Sequence, residues 1–185
     1  MTEKYQNKYR IKSARLPHWD YGWNGYYFVT ICTQGHTPWF GRVVDGEMVL
    51  SDIGISAQRF WNEIPKHFPF VKLDAFVVMP NHVHGIVIID KENGGHDMGT
   101  WVETQDFASL QQTRNKFGPQ SKNLASIIRG FKAAVTKRSR IIHPNFAWQP
   151  RFHDHIIRSE ESYHHIAEYI KYNPAKWADD QFYVE

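Results

Sequence analysis

Apolar positions along the chain follow two different spacings, which separate predicted strands from predicted helices. Segments rich in β-branched and aromatic residues, typical of strands, are 25–33, 71–79, 82–89 and 148–158. Helices are predicted over 51–67, 121–140 and 160–173. The evidence is the recurrence of apolar residues every three or four positions and, for 160–173, acidic residues in the first turn. A further hairpin is predicted where 39–44 and 48–50 flank Asp45-Gly46.

The order of these elements predicts an α+β fold. A strand–helix–strand–strand–helix–strand series is typical of the ferredoxin-like βαββαβ arrangement, an antiparallel sheet with two helices on one face. The third strand has apolar residues on both faces, with Ile86 and Ile88 on one and Val83 and Val87 on the other. We therefore expect the additional C-terminal helix to cover the second face of the sheet.

Turn and capping residues set the expected boundaries. Ser51 or Asp52 can cap the first helix, and Pro65 should end that helix early or distort its last turn. Pro80-Asn81 is predicted to form the tight turn between the second and third strands.

We expect one domain over 1–185, because a chain of this length can bury a substantial core and no linker divides it. The segment 1–24 is predicted as a basic, aromatic arm. The segment 90–120 is predicted as a mobile or functional insertion, because it has little pattern and is long for an ordinary connection.

Composition narrows the class of protein. No apolar run is long enough to cross a bilayer, the N-terminus has no signal-peptide pattern, and Cys32 is the only cysteine. A cytoplasmic protein without a membrane partner is therefore expected. The net charge of +3 and the 15% aromatic content favour an anionic partner such as single-stranded nucleic acid.

Basic and histidine residues are the candidate contacts to such a nucleic acid. On the helix 121–140 they either are simply solvated or bind phosphate, and the pattern does not decide between the two. The candidate DNA-binding residues are Arg15, Lys122, Arg129, Lys132, Arg151, His153, His155 and Arg158.

Two histidines within the third strand are the first candidate site. Side chains alternate along a strand, so His82 and His84 lie on the same face, where their imidazoles can bind one metal ion. His153 and His155 form a second pair of this kind, either as a rival metal site or as polar residues beside the first.

The last helix carries the second candidate. Tyr169 and Asn173 are four residues apart and therefore neighbours, at the edge of the apolar stripe. Tyr163 lies within that stripe and is expected to be a core residue, whereas Tyr172 and His165 are expected to face solvent.

Two motifs together resemble a known family. The segments Val78-Met79-Pro80-Asn81-His82-Val83-His84 and Tyr169-Ile170-Lys171-Tyr172-Asn173-Pro174 are similar to those of the single-tyrosine HUH transposases, in particular the REP-associated tyrosine transposases of bacteria. The resemblance runs from about Tyr26 to Trp177. Both motifs, in this order and spacing, are far more specific than either alone.

The resemblance implies a site and a reaction. His82, His84 and Asn173 would bind Mg²⁺ or Mn²⁺, and Tyr169 would be the nucleophile. The substrate would be single-stranded DNA beside a hairpin in repetitive elements, so that the protein would be nucleoid-associated when bound. Cleavage would leave a 5′-phosphotyrosine link and a free 3′-hydroxyl. Relatives act as monomers or as homodimers that exchange the tyrosine helix.

Two rival functions are also compatible with the sequence. A non-catalytic single-stranded DNA- or RNA-binding module could use the same sheet topology, without metal and without a covalent adduct. A small metallohydrolase built on His153 and His155 would turn over substrate through a metal-bound water.

Overall fold

The computed structural model describes residues 4–5, 8–9, 19–91 and 121–183. Its strands are β1 (Lys4–Tyr5), β2 (Lys8–Tyr9), β3 (Gly25–Cys32), β4 (Gly41–Val44), β5 (Glu47–Leu50), β6 (Val71–Val78), β7 (His82–Ile89) and β8 (His153–Ile157). Its α-helices are α1 (Asp52–Asn62), α2 (Ile64–His67), α3 (Leu124–Ile142) and α4 (Glu160–Tyr172). Short 3₁₀ helices span Gln34–His36 and Pro174–Asp179.

A four-stranded sheet in the order β6-β7-β3-β8 forms the centre of the molecule. Each neighbouring pair of strands is antiparallel, as predicted. The element order β3-α1-β6-β7-α3-β8 matches the expected series of strands and helices. The predicted hairpin is also present, as β4 paired with β5.

Strand β7 is buried on both faces, because alternate residues enter different cores. Val83 and Val87 pack in the cluster that contains residues of α1 and α3. Ile86 and Ile88 pack with Ile170 of α4 in a second cluster. The C-terminal helix is therefore the second cover, and the face that it covers is the one that carries His82 and His84.

Three element boundaries differ from the prediction for local reasons. The helix expected over 51–67 is split at Glu63, with Pro65 in the first turn of α2. Helix α3 begins only at Leu124, after Asn123 forms a capping box with Ser126. Strand β8 begins only at His153, since the preceding Arg151 has a φ of 70°, which a strand does not accommodate.

Parts of two predicted segments lie outside the described residues. These are the arm 1–24, except for 4–5, 8–9 and 19–24, and the insertion 90–120 beyond Lys91. Within the described part of the chain, no helix has the length and apolar character needed to cross a bilayer.

Gly85, between His84 and Ile86 on β7, leaves room for an aromatic ring of the core. A Cβ at this position would lie 2.3 Å from Cζ2 of Trp61, which is fully buried and stacked on Phe76. We expect Gly85→Ala to lower the free energy of unfolding by about 2–3 kcal/mol, because the packed ring must move. Urea denaturation measures this loss.

Gly130→Ala on α3 is the matched control. Its Cβ would lie 3.4 Å from the ring of Phe68, an ordinary contact distance. Because alanine is favoured over glycine in a helix by up to about 1 kcal/mol, this variant should be at least as stable as wild type. Equal stability of Gly85→Ala and wild type would contradict the close packing of Trp61 against Gly85.

Candidate active site

His82 and His84 begin strand β7, directly after the turn at Pro80-Asn81. The turn is closed by a hydrogen bond from the Met79 backbone N–H to the His82 carbonyl, at 2.9 Å. Both histidines are buried, at 0% and 1% exposure, and their Nε2 atoms are 2.9 Å apart. At this distance either a hydrogen carried by one of the two nitrogens or a cation lies between them.

In each imidazole, the other ring nitrogen, Nδ1, forms a hydrogen bond that orients the ring. Asn81 donates through Nδ2 to the carbonyl of Phe182, at 2.7 Å, so its Oδ1 is the acceptor that faces His82. His82 Nδ1 therefore donates to Asn81 Oδ1, at 2.8 Å, and Nε2 is left as the lone-pair nitrogen. His84 Nδ1 is hydrogen-bonded to Thr30 Oγ1, also at 2.8 Å. Such partners are typical of metal-binding histidines.

Burial keeps both imidazoles neutral. It lowers the pKa of His82 to about 3, with a further contribution from the nearby His36. Burial, followed by the charge of His82, lowers the pKa of His84 well below its ordinary value. Neutral imidazole is the form that binds metal ions.

These pKa shifts predict acid sensitivity of the metal-free protein. An unfolded histidine takes up a proton near pH 6.5, whereas folded His82 does so only near pH 3. Stability should therefore be complete above about pH 6.5 and fall on acidification. His82 alone should account for about 3 kcal/mol by about pH 4.5.

Urea denaturation with a chelator at a series of pH values measures this loss. His82→Gln should flatten the pH profile, whereas His165→Gln, at an exposed position on α4, should leave it unchanged. An unchanged profile in His82→Gln would contradict the assignment.

Tyr169 brings its phenol to the paired imidazoles from α4. Its hydroxyl oxygen lies 3.2 Å from His84 Nε2 and 3.4 Å from Asp180 Oδ2. The ring meets that of Phe28 edge-on. Burial, and then the negative charge of Asp180, raise the pKa of Tyr169 to about 12. The phenol is consequently protonated at neutral pH in the metal-free site.

Asn173 and Asp180 complete the cluster with oxygen atoms. Asn173 is 2% exposed and donates through Nδ2 to Asp180 Oδ2, at 2.9 Å. Its buried Oδ1 has no hydrogen-bond partner among the described residues. Ligand atoms of His82, His84 and Asp180 lie within 4.8 Å of one another.

The donor set fits a divalent cation. Two imidazole nitrogens bound to one ion at about 2.1 Å and at right angles lie about 3 Å apart, close to the separation observed for His82 and His84. An unpartnered amide oxygen and a carboxylate are the ligands that hard divalent ions favour. Asp180 was missed by the sequence analysis, since it lies in an irregular segment with no pattern that marks it.

A cavity of about 870 Å³ adjoins this cluster on the same face of the sheet. His153 lines it, and His155 lies on the same strand, opposite Phe28. Arg151 is exposed at the cavity wall. Among the described residues, His153 and His155 belong to no group of three potential metal ligands.

The other candidate DNA-binding residues lie away from Tyr169 or are already engaged. Lys122, just before α3, and Arg129, on α3, are both exposed. Because α3 packs on the face of the sheet opposite α4, Arg129 lies on the far side of the sheet from Tyr169. The Lys132 ammonium donates to two backbone carbonyls, and the Arg158 guanidinium lies over the ring of Trp19. Arg15 lies outside the described residues.

Two proteins of Haemophilus influenzae are similar in sequence to this chain. The chain is 39% identical over 188 residues to a Haemophilus influenzae protein described as "Uncharacterized protein", with both chains covered in full. It is 22% identical over 158 residues to a "Putative REP-associated tyrosine transposase" of the same organism, covering 85% of this chain and 74% of the relative. No protein-family model matches the chain.

A solved structure of a REP-associated tyrosine transposase bound to a REP hairpin has the same fold. Its TM-score is 0.58 at 19% identity, over 90% of this chain and 74% of that one. The fold is thus that of the REP-associated tyrosine transposases, and the resemblance seen in the motifs is confirmed. The chain belongs to one family with the Haemophilus influenzae protein that matches it over its whole length.

Proposed function

We propose that this protein is a transposase-like enzyme that cleaves and rejoins single-stranded DNA through a covalent link to Tyr169. The observation that carries the proposal is the meeting of this phenol with the buried histidine pair. The Tyr169 hydroxyl lies 3.2 Å from Nε2 of His84, although 85 positions separate the two residues in the chain.

His82, His84, Asn173 and Asp180 would hold one Mg²⁺ or Mn²⁺ ion. When bound, the ion supplies positive charge that relieves the repulsion between a nucleophile and the negative oxygens of a phosphodiester. Two nitrogen ligands favour Mn²⁺ over Mg²⁺, which prefers oxygen ligands throughout.

The chemical step needs a nucleophile and a proton acceptor. The oxygen of Tyr169 attacks the phosphorus and forms a tyrosyl–phosphate bond to the 5′ end. The bond between the phosphorus and the 3′ oxygen of the preceding nucleotide breaks, and that oxygen takes up a proton from water to become the free 3′-hydroxyl. Asp180 Oδ2, which accepts a hydrogen bond from the phenol, is placed to take the phenol proton. A 3′-hydroxyl can later reverse the step and rejoin the strand.

Hairpin-containing repetitive DNA is the substrate class that we propose. The related solved structure holds a REP hairpin, and the net charge of this chain is +3. The cluster comes from a single chain, so a monomer can carry a complete site, and a helix-swapped homodimer is not needed to build it.

Covalent capture tests the proposal. The protein is incubated with Mn²⁺ and a library of labelled single-stranded hairpins, and the adducts are separated on a denaturing gel and sequenced. We expect adducts that are enriched in one hairpin class and absent when a chelator is added. Binding without any adduct would instead support the non-catalytic DNA- or RNA-binding module.

A further inference from the structure

The segment between α3 and β8 forms one wall of the cavity beside Tyr169. It is tied to the end of β3, where Trp148 bridges Thr33 and the Gln149 backbone N–H donates to the Cys32 carbonyl, at 2.9 Å. The residues of this segment that line the cavity are Gln149, Pro150, Arg151 and Phe152. We call 149–152 the cavity loop.

Within the cavity loop, Arg151 has an uncommon backbone conformation. Its φ is 70°, in the left-handed region that a side chain with a Cβ disfavours. Such a conformation persists only where surrounding contacts enforce it. The chain must therefore contain a contact that stabilises the loop in this shape.

Lys132 of α3 supplies that contact. Its ammonium donates to the carbonyl of Gln149, at 2.8 Å, and to the carbonyl of Arg151, at 3.0 Å, and it lies over the ring of Trp148. Burial lowers the pKa of this lysine below its ordinary value. Two of its three donors are thus used within the protein, which leaves it poorly placed to bind phosphate.

The side chain of Arg151, unlike that of Lys132, is available to contact a ligand. It is exposed at the cavity that also reaches His84 and Tyr169. Within the described ranges, no residue forms an ion pair or hydrogen bond with its guanidinium, whereas its backbone carbonyl is engaged. A planar guanidinium is well suited to bidentate recognition of phosphate.

We propose that Lys132 is a positioning residue for a phosphate subsite, in which Arg151 contacts a backbone phosphate of the strand bound beside Tyr169. The inference rests on the proposed single-stranded DNA activity. It differs from the sequence prediction for Lys132, in which that side chain binds DNA itself.

A double-mutant cycle separates positioning from direct contact. The variants are Lys132→Met, Arg151→Gly and the double variant, with Lys137→Met at an exposed position on α3 as the charge-matched control. Binding of a labelled oligothymidylate is measured without metal at several salt concentrations. Glycine adopts a positive φ without strain, so Arg151→Gly should fold without the lysine contact.

Each single variant should bind about tenfold more weakly than wild type, because one charge-assisted phosphate contact is lost. Each should also reduce the slope of log K against log salt by about 0.7, which a mere loss of folded protein would not do. The double variant should bind no more weakly than Arg151→Gly alone, because Lys132 acts only through Arg151. Lys137→Met should bind like wild type.

Additive losses, with a combined slope change of about 1.4, would overturn the inference and make Lys132 a direct contact. Unchanged binding by Arg151→Gly would also overturn it. A wild-type protein that does not bind oligothymidylate would overturn the inference, because no strand phosphate would then be held beside Tyr169. Covalent capture with the hairpin library tests the proposed function separately.

A second measurement keeps the inference testable should Lys132→Met fail to fold. Arg151 of the wild-type protein is modified with phenylglyoxal, with and without oligothymidylate, and the modified peptide is quantified by mass spectrometry. We expect the DNA to slow modification of Arg151 severalfold. Equal rates with and without DNA would refute the phosphate subsite.

Discussion

Tyr169→Phe should abolish the covalent protein–DNA adduct. The variant lacks only the hydroxyl whose oxygen lies 3.2 Å from His84 Nε2, so the proposed nucleophile is lost while the surrounding residues stay unchanged. The adduct should fall to the detection limit on a denaturing gel, a loss of at least about a thousandfold, as expected when a nucleophile is removed.

DNA binding should survive the same substitution within about twofold. Phenylalanine keeps the ring that meets Phe28 edge-on, and the hydroxyl makes only long hydrogen bonds, at 3.2 and 3.4 Å. Fluorescence anisotropy with the hairpin selected by covalent capture measures this binding. The combination of normal binding with no adduct is the result that separates a nucleophile from a binding residue.

Two neighbouring tyrosines on α4 are matched controls. Tyr172 is 49% exposed and points away from the site, and the Tyr163 hydroxyl donates to Asp74. Tyr172→Phe and Tyr163→Phe should each form the adduct at the wild-type level. An adduct that persists in Tyr169→Phe and disappears in one of these variants would move the nucleophile to that tyrosine.

Periodicity was sufficient to predict the sheet and the two covered faces. The alternation along β7 assigns Val83 and Val87 to one core and His82 and His84 to the other face, and both assignments agree with the structure. Tyr172 on α4 is exposed, as the helical period predicts. Tyr163, predicted as a core residue, is only partly buried against the second cluster, and its hydroxyl contacts Asp74.

Features that depend on tertiary contacts could not be predicted in this way. Asp180 enters the site because a 3₁₀ helix after α4 turns the chain back over the histidines. The late start of β8 depends on a positive φ at Arg151, which a residue with a Cβ rarely adopts. Lys132 has the spacing of a solvated lysine on α3, yet its ammonium contacts a loop that follows the helix.

The roles of Tyr169, Asn173 and the histidine pair stay predictions, although the structure brings them together. Their proximity alone is compatible with a buried polar cluster that holds α4 against the sheet. The two readings differ in what a divalent ion should do, because a structural cluster has no need of one.

His84→Ala should remove both high-affinity Mn²⁺ binding and adduct formation. His84 is one of the two buried histidines, with Nε2 atoms 2.9 Å apart, that would hold the proposed ion. Loss of a partner that only orients a metal ligand costs about 10- to 100-fold in affinity, so loss of the ligand itself should cost at least about 100-fold. Isothermal titration with Mn²⁺ measures the affinity, and covalent capture measures the adduct.

Two further variants make this experiment specific. Thr30→Val removes the hydrogen bond to His84 Nδ1 but keeps the ligand, and should weaken Mn²⁺ binding by about 10- to 100-fold. His165→Ala, at an exposed position on α4, should bind Mn²⁺ like wild type. The affinity for Mn²⁺ should fall in the order His165→Ala, Thr30→Val, His84→Ala only if the imidazole of His84 binds the ion. Wild-type affinity in His84→Ala would place the ion elsewhere and leave the histidine pair as a structural cluster.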